Sequence, residues 1–162
     1  MKTVREPVTS FDEMKDLLEN LEYADTYATT NRENSLEEVA NLIFSYAPLW
    51  IRSLLKVRNF MVRLAGLKAV VPEGDAPKLK EGGYVGLFKV FCLNTDEIVL
   101  GLDDKHLNFR VRIWDNTAEK YNIKVTTLVA YNNWFGRAYM TLIKPFHHLV
   151  VRRMVGQAYV SS

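Results

Sequence analysis

Hydrophobic and polar positions change their period about halfway along the chain. In the first half, apolar residues recur at helical spacing, as in Leu36, Val39, Ala40 and Ile43. From Tyr84 onward they alternate with polar ones, which is typical of strands, and short turn-rich connections indicate an antiparallel meander. In order, the pattern predicts an amphipathic helix after Ser10, a strand over 23–30, helices over 35–47 and 48–66, strands over 84–93, 97–102, 105–114, 120–131 and 136–143, and a final helix from Pro145.

This order predicts an α+β fold in a single domain over 1–162, with 1–22 as an acidic helical extension. The expected architecture is a curved antiparallel sheet, built from a strand, two helices and about five or six further strands, wrapped on a long C-terminal helix. Such a sheet has an apolar face to cover, and the last helix can cover it. Where the facing side chains do not fill the space between them, a small-molecule pocket is expected.

Composition narrows the functional classes. The chain has 162 residues, of which 48% are hydrophobic and 25% charged, as in an ordinary globular domain. Cys92 is the single cysteine, which excludes an internal disulfide and fits a reducing compartment. No stretch has the apolar length of a membrane span and the N-terminus lacks a leader, so we expect a cytoplasmic protein without membrane association. A net charge of +2 argues against nucleic acid as a partner.

Charge is unevenly distributed along the chain. Residues 1–38 hold 4 basic against 10 acidic residues, whereas 39–72 hold 5 basic residues and 139–162 hold 3, both without an acid. In most proteins such runs of like charge are exposed to water. The alternative is that these basic residues bind an anionic ligand.

Three basic positions interrupt an apolar pattern or line a strand face. Arg58 has apolar neighbours on its predicted helix, so it either forms an interior ion pair or contacts a ligand. His106 and Arg110 share one face of a predicted strand whose other face is apolar. That polar face either meets water or lines a wet cavity.

Two further positions stand out near the C-terminus. Spacing on the final helix predicts that His147 faces inward and His148 outward. Arg137 follows Trp134 and Phe135, so it either stacks on a ring or recognises an anion. Neither position belongs to a metal-ligand spacing, and the sequence predicts no metal and no cofactor.

Several motifs together resemble a bacterial family of domains of unknown function. They are Pro48-Leu49-Trp50, Arg58-Asn59, the block from Gly101 to Arg110 that contains Asp103-Asp104-Lys105-His106, Asn132 with Gly136-Arg137, and Pro145-Phe146-His147. The chain departs from the family pattern at Asn108, where an Asp is expected. That family is similar to the helix-grip superfamily of START and polyketide-cyclase-like domains. The resemblance implies that fold and, by analogy with some relatives only, association with an oxidoreductase domain.

We therefore expect a helix-grip domain that binds a small, largely apolar molecule between the C-terminal helix and the sheet, and the basic elements leave an anionic ligand open. The candidate ligand-binding residues are Trp50, Arg58, His106, Arg110, Arg137, Tyr139 and His147. Two alternatives stay open: an acid/base enzyme of cyclase or isomerase type that uses the same pocket, and a non-catalytic structural or protein-interaction domain. The sequence predicts no catalytic residue individually and no oligomeric state.

Overall fold

A computed structural model describes residues 2–8, 11–45, 79–85 and 88–160. The helix predicted over 48–66 lies outside these ranges, and so do the candidate site residues Trp50 and Arg58.

Seven antiparallel strands form one sheet in the order β1-β2-β7-β6-β5-β4-β3. The strands are β1 (Val4–Glu6), β2 (Tyr23–Thr29), β3 (Tyr84–Val85), β4 (Phe88–Leu93), β5 (Glu97–Asp103), β6 (Leu107–Asp115) and β7 (Ile123–Tyr131). From β3 to β7 each strand pairs with the next along the chain, which confirms the predicted meander. The single strand predicted over 84–93 is wrong, because β3 and β4 pair with each other antiparallel within this segment. β2 joins that meander at β7, and β1, which the pattern did not predict, extends the edge beyond β2.

Three helices accompany the sheet within the described ranges: α1 (Phe11–Met14), α2 (Leu36–Ser45) and α3 (Trp134–Gln157). The fold is therefore α+β, with a C-terminal helix packed against an antiparallel sheet. The predicted helix after Ser10 is only one turn long. The capping box that starts α2 is confirmed, since Glu38 Oε2 accepts the Ser35 amide proton at 2.8 Å and Ser35 Oγ accepts the Glu38 amide proton at 3.3 Å.

The strand predicted over 136–143 is wrong, because this segment is the first half of α3. The helix begins at Trp134 instead of Pro145, and Asn133 caps it by accepting the Gly136 amide proton at 3.1 Å. Pro145 lies inside α3, where it removes one backbone hydrogen bond, and the helix continues for 12 residues beyond it.

The two faces of the sheet are covered by different parts of the chain. We call the face under α2 and α3 the inner face and the opposite one the outer face. The inner face carries the main core, whose fully buried members include Ile98, Leu100, Ile113, Ile123, Val39 and Val155. A smaller cluster on the outer face joins Met14 and Leu18 to Leu128 and Ala130.

Candidate functional site

A buried carboxylate lies on the inner face beneath α3. Asp25 is in the middle of β2, opposite Thr127 of β7, and its side chain is 0% exposed. An unpaired buried carboxylate is costly, so its contacts decide how it is kept charged.

Four side chains from β2 and α3 surround Asp25. The Tyr23 hydroxyl donates a hydrogen bond to Asp25 Oδ2 at 3.0 Å, and His148 Nδ1 lies 3.2 Å from the same oxygen. His147 Nε2 lies 3.5 Å from Asp25 Oδ1, and the Tyr27 hydroxyl lies 2.9 Å from His148 Nδ1. These five residues are the Asp25 cluster.

Secondary-structure geometry brings the cluster together. Strand alternation places Tyr23, Asp25 and Tyr27 on one face of β2. Consecutive helix residues diverge by about 100°, so the two histidines of α3 reach Asp25 from either side. The prediction that His147 faces inward is confirmed, whereas the prediction that His148 faces outward is wrong, since its imidazole is only 28% exposed.

The cluster perturbs the titration of its members. Burial by itself would raise the pKa of Asp25, but hydrogen bonds from His147 and Tyr23 and the histidine charges outweigh it and lower that pKa. Burial lowers the pKa of His148, and the charges of Arg5 and Lys144 add to this against the pull of Asp25. Burial and the Asp25 charge raise the pKa of Tyr23. At neutral pH the set is therefore an ionised carboxylate, a neutral His148 and protonated tyrosines.

The contact with Asp25 also favours one tautomer of His148. A neutral imidazole that turns Nδ1 toward a carboxylate oxygen carries its proton on Nδ1, because a lone pair there would be repelled. The hydrogen bond of Nδ1 is with the Tyr27 hydroxyl at 2.9 Å, while Asp25 Oδ2 lies at 3.2 Å. Within the described ranges, Nε2 of His148 and Nδ1 of His147 have no hydrogen-bond partner. The cluster therefore holds two imidazole nitrogens in fixed directions that no group of the described residues engages.

An open cleft of about 320 Å³ lies beside the cluster at the edge of the sheet, lined by Arg5, Glu6, Pro7, Val8, Ala24 and Asp25. It forms because β1 pairs with β2 only from Val4 to Glu6. Pro7 has no amide proton to extend the ladder, so the chain leaves the sheet just before it would pass Asp25.

Arg110 lies on the opposite side of the sheet from the cluster. Its neighbour Val111 belongs to the inner core, so Arg110 points to the outer face, where its Nη1 is 2.6 Å from Asp103 Oδ1 and its guanidinium stacks on the Phe91 ring at 3.8 Å. A pocket shared by Arg110 and His147 is therefore ruled out. Arg110 therefore meets neither open water nor the space on the inner face of the sheet, because Phe91 covers its guanidinium.

His106 and Arg137 lie at the other end of α3. His106 Nδ1 is within 3.2 Å of the Asn133 side-chain amide, its ring is 4.6 Å from that of Phe135, and its buried Nε2 has no partner within the described ranges. Arg137 pairs with Glu22 at 2.6 Å and lies 5.4 Å from the centre of the Tyr131 ring. Tyr139 is half-buried on the same helix. Twelve residues of helix, about 18 Å, separate Phe135 from His147, so these residues do not join the Asp25 cluster.

Sequence reasoning missed four of the five cluster residues. The signal available was Asp25 itself, a carboxylate alternating with two tyrosines in a strand that otherwise reads as buried. Its partners become visible only when α3 is placed over β2, because 121 residues separate Tyr27 from His148.

Neither membrane-spanning nor metal-binding features are found in the part of the chain that the structure describes. No helix there is long and apolar enough to cross a membrane. No group of three or more His, Cys, Asp or Glu side chains in that part has the arrangement of a metal site.

The fold and the cluster define a class: a small α+β domain with an antiparallel sheet, a covering C-terminal helix and a buried acidic and histidine-rich site between them. Residues 17–154 match the model of the family described as "Protein of unknown function (DUF2867)", and the chain belongs to that family. Comparison with the curated proteins and with the solved structures found no match.

Proposed function

We propose that the protein is a helix-grip domain that binds a small, largely apolar molecule between α3 and the inner face of the sheet. The polar end of that molecule would reach the Asp25 cluster, and its apolar part would lie against the neighbouring core side chains.

Two imidazole nitrogens that have no hydrogen-bond partner among the described residues carry this proposal. A helix and a sheet can pack against each other with apolar residues alone, so packing does not require a carboxylate. Burying Asp25 costs free energy, which indicates a role other than packing. The cluster gains two directed hydrogen-bonding atoms, His148 Nε2 and His147 Nδ1, on rings that are 28% and 16% exposed. Groups fixed in this way bind a polar atom with little loss of side-chain freedom.

Thermal unfolding with a library of small amphiphilic acids, alcohols and amides tests the proposal. We expect some members to raise the melting temperature of the wild-type protein. The increase should be lost in His148→Gln and kept in His106→Gln, a matched change at the far end of α3. Compounds that stabilise His148→Gln as well as the wild type would place the binding site elsewhere, and silence across the library would refute binding.

The contact between Asp25 and His148 supports acid/base catalysis as a second candidate. A carboxylate that holds the Nδ1 proton of a neutral histidine leaves Nε2 as a base, which is the arrangement that general-base catalysis requires. In this reading His148 is the base and Asp25 is its positioning residue.

Hydrogen exchange into bound compounds separates the two functions. Each stabilising compound is incubated with the protein in deuterated water, and uptake at carbon is followed by NMR. A base that reaches an acidic C–H bond gives uptake that His148→Gln abolishes. Binding without uptake in any compound would contradict the catalytic reading and leave the binding reading in place.

A further inference from the structure

Three basic residues, Arg5, Lys144 and Arg152, lie around the Asp25 cluster, and we call the region between them the mouth of the cluster. Arg5 is the cross-strand partner of Tyr27 on the inner face, and it lines the cleft beside Asp25. Lys144, one turn before the histidines on α3, places its Nζ 4.9 Å from the centre of the Tyr23 ring. The backbone of Arg152 is held next to β1, where its carbonyl oxygen accepts a hydrogen bond from Thr3 Oγ1 at 3.4 Å.

These cations have no counter-ion among the described residues. Arg5, Lys144 and Arg152 form no ion pair there. The two carboxylates that line the cleft are already engaged, since Glu6 pairs with Lys124 at 2.5 Å and Asp25 is held by its cluster. In addition, the chain carries no acidic residue after Glu119, so α3 offers none.

The pKa shifts of His148 and Tyr27 agree with the placement of these cations around the cluster. Burial first, and then the charges of Arg5 and Lys144, lower the pKa of His148, and the charges of Arg5 and Arg152 oppose the effect of burial on the pKa of Tyr27. Arg5 thus acts on both side chains, whereas Lys144 acts on His148 and Arg152 on Tyr27.

We infer that the mouth of the Asp25 cluster binds the acid group of its ligand, with Arg5 and Lys144 as the pairing cations and a water that bridges to His148 Nε2 as an additional contact. The ligand class is a small molecule with an apolar body and one carboxylate or comparable oxyanion. This inference rests on the proposed function, because it names the polar end of the same ligand. Charge-assisted hydrogen bonds to Arg and Lys favour such an anion over a neutral group of equal size.

Matched probes test the inference directly. We compare octanoate, 1-octanol and octylamine, which share one apolar tail, with acetate, which has the acid group alone. Binding is measured by calorimetry and by the NMR shifts of the His147 and His148 rings, at two chloride concentrations. Octanoate should bind about tenfold more tightly than 1-octanol, and this advantage should shrink at high salt.

Charge variants at exposed positions identify the cations. Arg5→Gln and Lys144→Gln should each remove most of the preference for octanoate, whereas Arg153→Gln, an exposed change on the same helix, should keep it. Unchanged far-UV circular dichroism confirms that the variants are folded.

The outcomes separate this inference from the proposed function. If 1-octanol or octylamine binds as well as octanoate, the inference is wrong and the proposed function stands. If acetate shifts the histidine signals but no tailed probe binds more tightly than acetate, the anion site stands and the apolar pocket is refuted. If no probe binds or shifts these signals, both are refuted.

Discussion

Asp25 is stable as a buried anion because hydrogen-bond donors replace the water it has lost. Tyr23 and His147 provide them, and His148 Nδ1 lies 3.2 Å from the same carboxylate. Its pKa is lowered in the folded protein despite burial. A carboxyl of this kind stabilises the fold above its unfolded pKa, and the contribution is lost as the pH falls through the lower, folded pKa.

Asp25→Asn should therefore lower the free energy of unfolding by about 3 kcal/mol at neutral pH, because the donors around residue 25 lose their anion. The deficit relative to the wild type should begin to shrink as the pH falls below about 4, the usual pKa of an unfolded aspartate, and should be lost only below the lowered pKa of folded Asp25, where the wild-type carboxyl is protonated too. Urea unfolding from pH 7 down to pH 2.5 measures both effects.

Asp103→Asn is the matched control, since Asp103 also lies in a strand and pairs with a cation but is half-exposed. Its substitution should cost less than about 1 kcal/mol. A deficit of Asp25→Asn that stays constant with pH would contradict the assignment of an ionised Asp25.

At the scale of the secondary-structure elements, the position of α3 depends most on the contacts of its first turn. The connection from β7 to α3 is hydrogen-bonded to the turn between β5 and β6. The Asn132 backbone amide donates to the His106 carbonyl at 2.9 Å, and Asn132 Nδ2 donates to the Asp104 carbonyl at 2.6 Å. Gly136 lies so close to this turn that a Cβ there would overlap the same His106 carbonyl oxygen. The Asp103–His106 motif and the Asn132–Arg137 motif are thus joined in one structural unit.

Gly136→Ala should destabilise the protein by about 2 kcal/mol, although alanine is the better helix former, because the added methyl meets backbone that cannot move aside. Gly156→Ala, in the last turn of α3, is the matched control. Its methyl would meet only the Thr3 hydroxyl at 3.2 Å, so we expect a change within about 1 kcal/mol of zero. Thermal and urea unfolding measure both variants, and equal losses would show that helix propensity alone decides the effect.

The same helix shows where sequence reasoning stops. The period of 2 over β5, β6 and β7 arises from local alternation, and the predicted strands are confirmed there within a few residues. Over 136–143 the alternation of Arg137, Tyr139 and Thr141 resembles a strand, and Pro145 resembles a helix start. The cap by Asn133 and the contact of Gly136 with a distant turn decide the conformation instead, and neither is a local property.

At the scale of the whole molecule, the sheet holds a layer on each face. Lys124 of β7 lies on the outer face, 2% exposed, and its Nζ contacts Glu6 Oε2 at 2.5 Å and Glu119 Oε2 at 2.6 Å. Burial alone would lower the pKa of Lys124, but its bonds to Glu119 and Glu6 raise it. The charged lysine therefore anchors β1, which also forms one wall of the cleft.

Lys124→Met should detach β1 more often while leaving the main core intact, because the apolar body of the side chain is kept and only the ion pairs with Glu6 and Glu119 are lost. We expect a loss of about 1 to 2 kcal/mol and faster amide exchange in residues 4–6, measured by urea unfolding and by hydrogen exchange. Lys120→Met, an exposed change in the connection between β6 and β7, should alter neither. Exchange that rises equally across all strands would contradict a separate role for β1.

The close contact of Gly136 with the turn between β5 and β6 has a consequence for the imidazoles of His147 and His148 at the other end of α3. Eleven residues, about 17 Å, separate Gly136 from His147, so α3 acts as a rod with its pivot at the β5–β6 turn. A tilt of about 5° at that pivot displaces the far end by about 1.5 Å, which is enough to break a hydrogen bond. The close packing of Gly136 against the His106 carbonyl therefore determines whether His147 and His148 stay in contact with Asp25.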